Sequence, residues 1–125
     1  MTAWRIVGLH HLQLAMPPGQ EEVAERFYAG ALGMEPVPKP AHLATRGGCW
    51  FRAGGLELHL GVEEGFHASA KAHPALRIDG LDALCTALRE AGAEIAEDTQ
   101  LTGYDRRYVR DPFGNRLELI EERSA

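Results

Sequence analysis

Four residues of this 125-residue chain have types and spacing that could act together: His11, His59, His73 and Glu118. They form two pairs. Laying His11-Leu12-Gln13-Leu14-Ala15-Met16 over His73-Pro74-Ala75-Leu76-Arg77-Ile78 puts histidine on histidine. Laying Gly55-Leu56-Glu57-Leu58-His59-Leu60 over Gly114-Asn115-Arg116-Leu117-Glu118-Leu119 puts His59 on Glu118. Separate accidents would have to share strand, face and repeat position, so the matched set reads as metal ligands. Two or three imidazoles with one carboxylate suit a divalent ion such as Fe, Ni, Zn or Mn and leave positions open for substrate oxygens. His10, His42 and His67 read as solvated or satisfied instead. Glu57 shares the face of His59 two residues away and is the off-register alternative ligand. Tyr108 is a candidate hydrogen-bond donor into the same cleft.

The elements that must position these residues follow from periodicity. Asp111-Pro112-Phe113-Gly114-Asn115 is turn chemistry, and the alternation after it makes 116–121 a half-buried strand with Glu118 on the face of Arg116 and Ile120. A first strand is expected within 4–16 and a helix over 20–32, with Val23, Ala24, Phe27, Tyr28 and Ala31 as its apolar stripe and Gly33 ending it. The prolines of 34–40 allow only a short edge strand there. Strands 49–52 and 56–62 complete a βαβββ order. Residues 63–71 read as a linker, after which the same grammar restarts: strand 72–78, helix 81–91 with Asp79 as a candidate cap and Gly92 as its end, then strands 93–97, 106–110 and 116–121. The expected fold is α+β, with tandem βαβββ modules at 4–62 and 72–121 forming a curved, mostly antiparallel sheet around a cleft. Trp50 and Phe51 read as core and edge packing.

Composition excludes several classes of function. A net charge of −5 and a pI of ≈ 5.6 argue against a nucleic-acid partner, and there is no basic stripe. No apolar stretch approaches the length of a membrane span, and the N-terminus lacks a signal-peptide pattern. Two isolated cysteines, Cys49 and Cys85, are no disulfide framework, so a reducing cytoplasm is the expected location.

Four pieces of the chain resemble the vicinal oxygen chelate superfamily, which includes glyoxalase I, extradiol dioxygenases and the fosfomycin and bleomycin resistance proteins. They are Leu9-His10-His11-Leu12-Gln13-Leu14, Phe27-Tyr28 with Leu32-Gly33, His73, and Asp111-Pro112-Phe113-Gly114-Asn115-Arg116-Leu117-Glu118. The resemblance spans Val7 to Glu121. It implies a divalent metal at His11, His59, His73 and Glu118, acting as a Lewis acid on an enolate or oxyanion while Glu118 or Glu57 moves a proton. It also implies a small-molecule substrate and a homodimer. The expected activity is that of a glyoxalase-like isomerase or lyase. One alternative is an Fe(II) dioxygenase using His11, His73 and Glu118. Tyr108 to Glu118 matches half of the extradiol signature, but the histidine expected upstream of the tyrosine is absent. The other alternative is a non-catalytic, bleomycin-resistance-type protein that sequesters a drug.

Overall fold

The computed structural model describes residues 2–98 and 101–123. Its strands form two four-stranded sheets of the same design. The first contains β1 (Leu12–Met16), β2 (Glu35–Val37), β3 (Cys49–Ala53) and β4 (Leu56–Val62) in the order β1-β4-β3-β2. The second contains β5 (Ala75–Arg77), β6 (Ile95–Asp98), β7 (Tyr104–Arg110) and β8 (Arg116–Glu122) in the order β5-β8-β7-β6. In each sheet the first and last strands pair in parallel and the other contacts are antiparallel, so the tandem βαβββ α+β expectation is met. The repeat survives at residue level. Gln13 stands opposite His59 and Ala75 opposite Glu118, so His11 and His73 each precede the partner of the second candidate ligand by two residues.

One face of each sheet packs into the core. Leu58, Leu60 and Phe51 in the first and Leu117, Leu119 and Val109 in the second are all at most 2% exposed. Burying such side chains stabilises the fold by roughly 1.5–3 kcal/mol each. Because strand residues alternate, His59 and Glu118 are directed to the opposite faces, where neighbouring side chains bury them to 6% and 7% exposure.

The helices show local departures. The first is α-helical only over α1 (Glu21–Glu25), then widens to a π-helix at Arg26–Ala31, where Leu32 N–H reaches back to the Phe27 carbonyl. That widening accompanies the burial of two successive aromatics, Phe27 and Tyr28, whose rings meet edge to face at 5.0 Å. A short helix, α2 (Ala41–Ala44), precedes β3 and was not expected from the proline-rich sequence. α3 (Leu81–Glu90) buries Leu81, Cys85 and Leu88 as its spacing predicts. Its cap differs from the expectation. The N-cap is Gly80, and the Glu121 carboxylate, rather than Asp79, accepts the Gly80 and Leu81 N–H groups at 2.6 and 3.3 Å. Gly33 (φ 71°) and Gly92 (φ 91°) take the left-handed conformation just past the two helices, as expected.

The first strand falls inside the expected 4–16 window, at its C-terminal end. The first strand begins at Leu12, and residues 2–11 are exposed, with Trp4, Ile6, Val7 and Leu9 showing 74%, 91%, 86% and 74% of their surface. The segment has the apolar content of a strand but no strand partner among the described residues. β5 is likewise shorter than expected because Pro74 has no N–H to donate, although its carbonyl still accepts from Glu118 N–H at 3.0 Å.

Candidate functional site

The Asp111–Asn115 turn fixes where the second sheet sits. Asp111 is 4% exposed and accepts four hydrogen bonds: from the Phe113 and Asn115 N–H groups at 2.9 and 2.8 Å, the Asn115 side-chain amide at 2.8 Å and the Tyr28 hydroxyl at 2.7 Å. The same Asn115 amide donates to the Ala15 carbonyl at 2.8 Å. The turn is therefore a latch joining the π-helix and β1 of the first module to β8 of the second. Burial, with the neighbouring Asp111 charge, pushes the Tyr28 hydroxyl's pKa far upward, so Tyr28 stays a donor.

On the free face of the second sheet, His73 and Glu118 meet. His73 Nδ1 lies 2.8 Å from the Lys71 carbonyl oxygen, and His73 Nε2 lies 2.9 Å from Glu118 Oε1. A carbonyl oxygen only accepts, so Nδ1 carries the proton and Nε2 of the neutral ring is bare. Two lone-pair groups facing each other at that distance require a cation, either a second proton on the imidazole or a metal ion. A backbone carbonyl orienting the distal nitrogen is the usual support for a metal-ligating histidine, and 2.9 Å suits neighbouring ligands on one ion with bonds of about 2.0–2.2 Å. The donor set fits a divalent metal. Tyr108, opposite Glu118 in register, donates its hydroxyl to Oε1 at 3.3 Å, and Arg106 reaches Oε2 at 3.7 Å.

The first sheet presents the equivalent positions differently. His59 is sandwiched between His11 and Trp50, with ring centroids 4.2 Å away on both sides and interplanar angles of 20° and 8°. Its Nε2 donates to Glu57 Oε1 at 2.9 Å. That hydrogen bond, aided by the charges of His59, Arg52 and His10 and opposed by desolvation, holds the Glu57 carboxyl below its usual pKa and weakens it as a base. His11 is exposed, and its Nδ1 lies 2.9 Å from that of His10.

The structure thus brings the candidates together in two sets: His11, His59 and Glu57 on one sheet, and His73, Glu118 and Tyr108 on the other. Among the described residues no group of three or more His, Cys, Asp or Glu side chains is gathered where it could hold a metal. Glu57 and His59 lie on one face, as their spacing predicts, and are hydrogen-bond partners. Trp50 is half-buried against His59, whereas Phe51 is fully buried in the core. Register could have revealed the role of Trp50, since it stands opposite His59 as Tyr108 stands opposite Glu118. Cys49 and Cys85 are free and buried, and desolvation, with nearby Glu25 and Glu21, pushes the Cys49 thiol up to about 11. It is a packing residue.

The paired βαβββ modules, with histidine and carboxylate positions repeated on their free faces, define the class. Residues 8–119 match the Glyoxalase/Bleomycin resistance protein/Dioxygenase superfamily, and the chain belongs to it. A protein from Bacillus anthracis, described as of the glyoxalase family, is 43% identical, with 98% of this chain and 100% of that one covered and a TM-score of 0.94. A glyoxalase/dioxygenase from Nostoc punctiforme shares the fold at 22% identity, covering 99% and 97% of the two chains with a TM-score of 0.79. So does a variant of the fosfomycin resistance protein FosX from Listeria monocytogenes, complexed with Mn(II) and 1S,2S-dihydroxypropylphosphonic acid. It is 19% identical, with 95% of each chain covered and a TM-score of 0.78. No curated protein matches the chain.

Proposed function

We propose that this chain is a metal-dependent, glyoxalase-like enzyme, an isomerase or lyase acting on a small oxygenated substrate. His73 and Glu118 anchor the metal, and His11 and His59 complete the site from a second copy in a homodimer. The observation that carries this reading is His73 Nε2 facing the Glu118 carboxylate at 2.9 Å, with Nδ1 committed to the Lys71 carbonyl. The Mn(II) complex of the FosX variant supports it as a precedent on the same fold. The dimer is supported by the division of the two ligand sets between the sheets and by the exposed apolar residues Trp4, Ile6, Val7 and Leu9, which nothing among the described residues covers.

A divalent ion at this position would supply Lewis-acid polarisation of a substrate oxygen. The chain's own part is to hold Glu118 and move a proton. Tyr108 and His73 hold Oε1 at hydrogen-bond distance while Arg106 stands 3.7 Å from Oε2, so Oε2 is the less tightly held atom and the one that takes a proton from a substrate carbon, with the weakened Glu57 as the secondary base. Among the described residues no helix is long and apolar enough to cross a membrane, and two free thiols agree with the proposed cytoplasmic location.

The test is elemental analysis of metal per chain for wild type, His73→Ala and Glu118→Ala, purified untagged under anaerobic conditions. Near-stoichiometric metal lost in both folded variants is the expected result. Full metal retention by either variant overturns the ligand assignment. A wild type that refuses metal on reconstitution selects the drug-sequestering alternative, for which the Trp50–His59–His11 stack would be the aromatic surface. Iron with oxygen-dependent turnover would select the dioxygenase alternative.

A further inference from the structure

Arg116 is a half-buried guanidinium on the same face as Glu118, two residues before it on β8. It lies over the Tyr108 ring at 4.2 Å, and among the described residues no carboxylate or carbonyl oxygen is bonded to it. Its neighbours are differently placed. Arg110 donates to the Gly114 carbonyl at 2.9 Å and Arg77 to Glu122 at 3.0 Å, so both are engaged by the chain itself. A guanidinium stacked on an aromatic ring keeps its in-plane N–H donors available for a planar or tetrahedral oxyanion. Tyr108, the shelf for Arg116, also donates to Glu118 Oε1, which ties the cation to the His73–Glu118 centre through one side chain.

Two cavities meet at this residue. One of ≈ 740 Å³ has apolar wall from Phe27, Ile95 and Val109, with Arg116 and Arg110 as its cations and Glu94 and Asp111 as its acids. The other, ≈ 420 Å³, lies between the modules and is lined by Gln13, Leu14, Phe66, His73, Pro74 and Arg116. The equivalent position in the first module is the acidic Glu57, so a cation here is not a consequence of the repeat.

We infer that Arg116 is the anion-recognising residue of this site, and that the substrate is a small carboxylate, phosphate or phosphonate whose charged group pairs with Arg116 while its oxygenated carbon faces His73 and Glu118. The inference rests on His73 and Glu118 as the reacting centre. It also deepens that reading, because it names a substrate class: compact organic anions with an apolar body small enough for the larger cavity.

The experiment is an amide chemical-shift titration of metal-free wild type, Arg116→Gln and Arg116→Lys with inorganic phosphate, with acetate, and with neutral acetamide as the control. Metal content after reconstitution is measured in parallel on the same proteins. Phosphate and acetate are expected to shift the Tyr108 and Arg116 amides of wild type. Arg116→Gln should weaken that binding at least tenfold, Arg116→Lys should restore part of it, and acetamide should leave these amides in place. Equal anion binding by wild type and Arg116→Gln, or anion shifts confined to other parts of the chain, overturns the inference. Wild type that takes up no metal yet binds anions through Arg116 breaks the enzyme reading and leaves the anion site standing. Normal metal uptake with no anion response does the reverse.

Discussion

The two modules carry the same positions and fill them for different ends. His11, Trp50, Glu57 and His59 of the first module correspond in register to His73, Tyr108, Arg116 and Glu118 of the second. In the first, the middle imidazole is clamped between two rings and its Nε2 is spent on Glu57. In the second, the imidazole is oriented from behind by Lys71 and turns Nε2 to a carboxylate, and a cation replaces the acid. Equivalent geometry therefore does not mean equivalent chemistry. On the proposed reading the second face takes a cation and an anion side by side, and the first face has to release His59 Nε2 from Glu57, or use its other nitrogen, to contribute.

The largest effect that would sharpen this contrast is on metal affinity. Glu118→Ala and His73→Ala should each lower it by more than the roughly 10–100-fold typical of losing a supporting residue, whereas His59→Ala should cost less than either. Metal titration of the three variants decides the order. Equal losses at His59 and Glu118 would erase the asymmetry between the modules.

The second contrast is between the turns. The β3–β4 turn at Gly54-Gly55 is exposed, while the corresponding Asp111–Asn115 turn is buried as the latch between modules. Asp111→Ala removes the acceptor for four hydrogen bonds and leaves the Tyr28 hydroxyl and two amides short of partners. It should destabilise the fold by about 3 kcal/mol or more. Gly54→Ala, whose Cβ would meet nothing within 4 Å, should cost mainly the strain of its φ of +55°, less than the latch variant. Denaturant unfolding measures both, and comparable losses would deny the turn its latch role.

The sequence was most legible where periodicity and repetition coincide. The two-module order, the helix spacing Leu81, Leu84, Cys85 and Leu88, and the glycines at 33 and 92 all reflect local preferences that agree with the packing. The repeat marked His11, His59, His73 and Glu118 as one set, whereas register divides them by sheet and carries His73 and Glu118 to one face. Other features depend on contacts that no local pattern encodes. The π-turn exists because Phe27 and Tyr28 both enter the core, the α3 cap comes from Glu121 some forty residues away, and Trp50 looked like packing because its stacking partner lies on another strand. Residues 4–11 have the composition of a strand, but a strand needs a partner, and the described residues do not supply one.

The smallest and most specific test concerns Tyr28, the first module's contribution to the latch. Its hydroxyl pKa is raised in the folded protein by burial first and by Asp111 second, whereas an unfolded tyrosine titrates near 10. Above about pH 10 the unfolded state sheds a proton that the native state keeps. The unfolded state then binds fewer protons, and stability falls as pH rises. Below that pH the contribution is fully present. Tyr28→Phe should cost about 1–2 kcal/mol at neutral pH, since Asp111 keeps its three other donors, and should flatten the loss of stability between roughly pH 10 and 11. Unfolding midpoints across that range, wild type against variant, provide the measurement. An unchanged alkaline slope would mean that the hydroxyl is ionised or solvated in the native state, and that the latch is held from the second module's side alone.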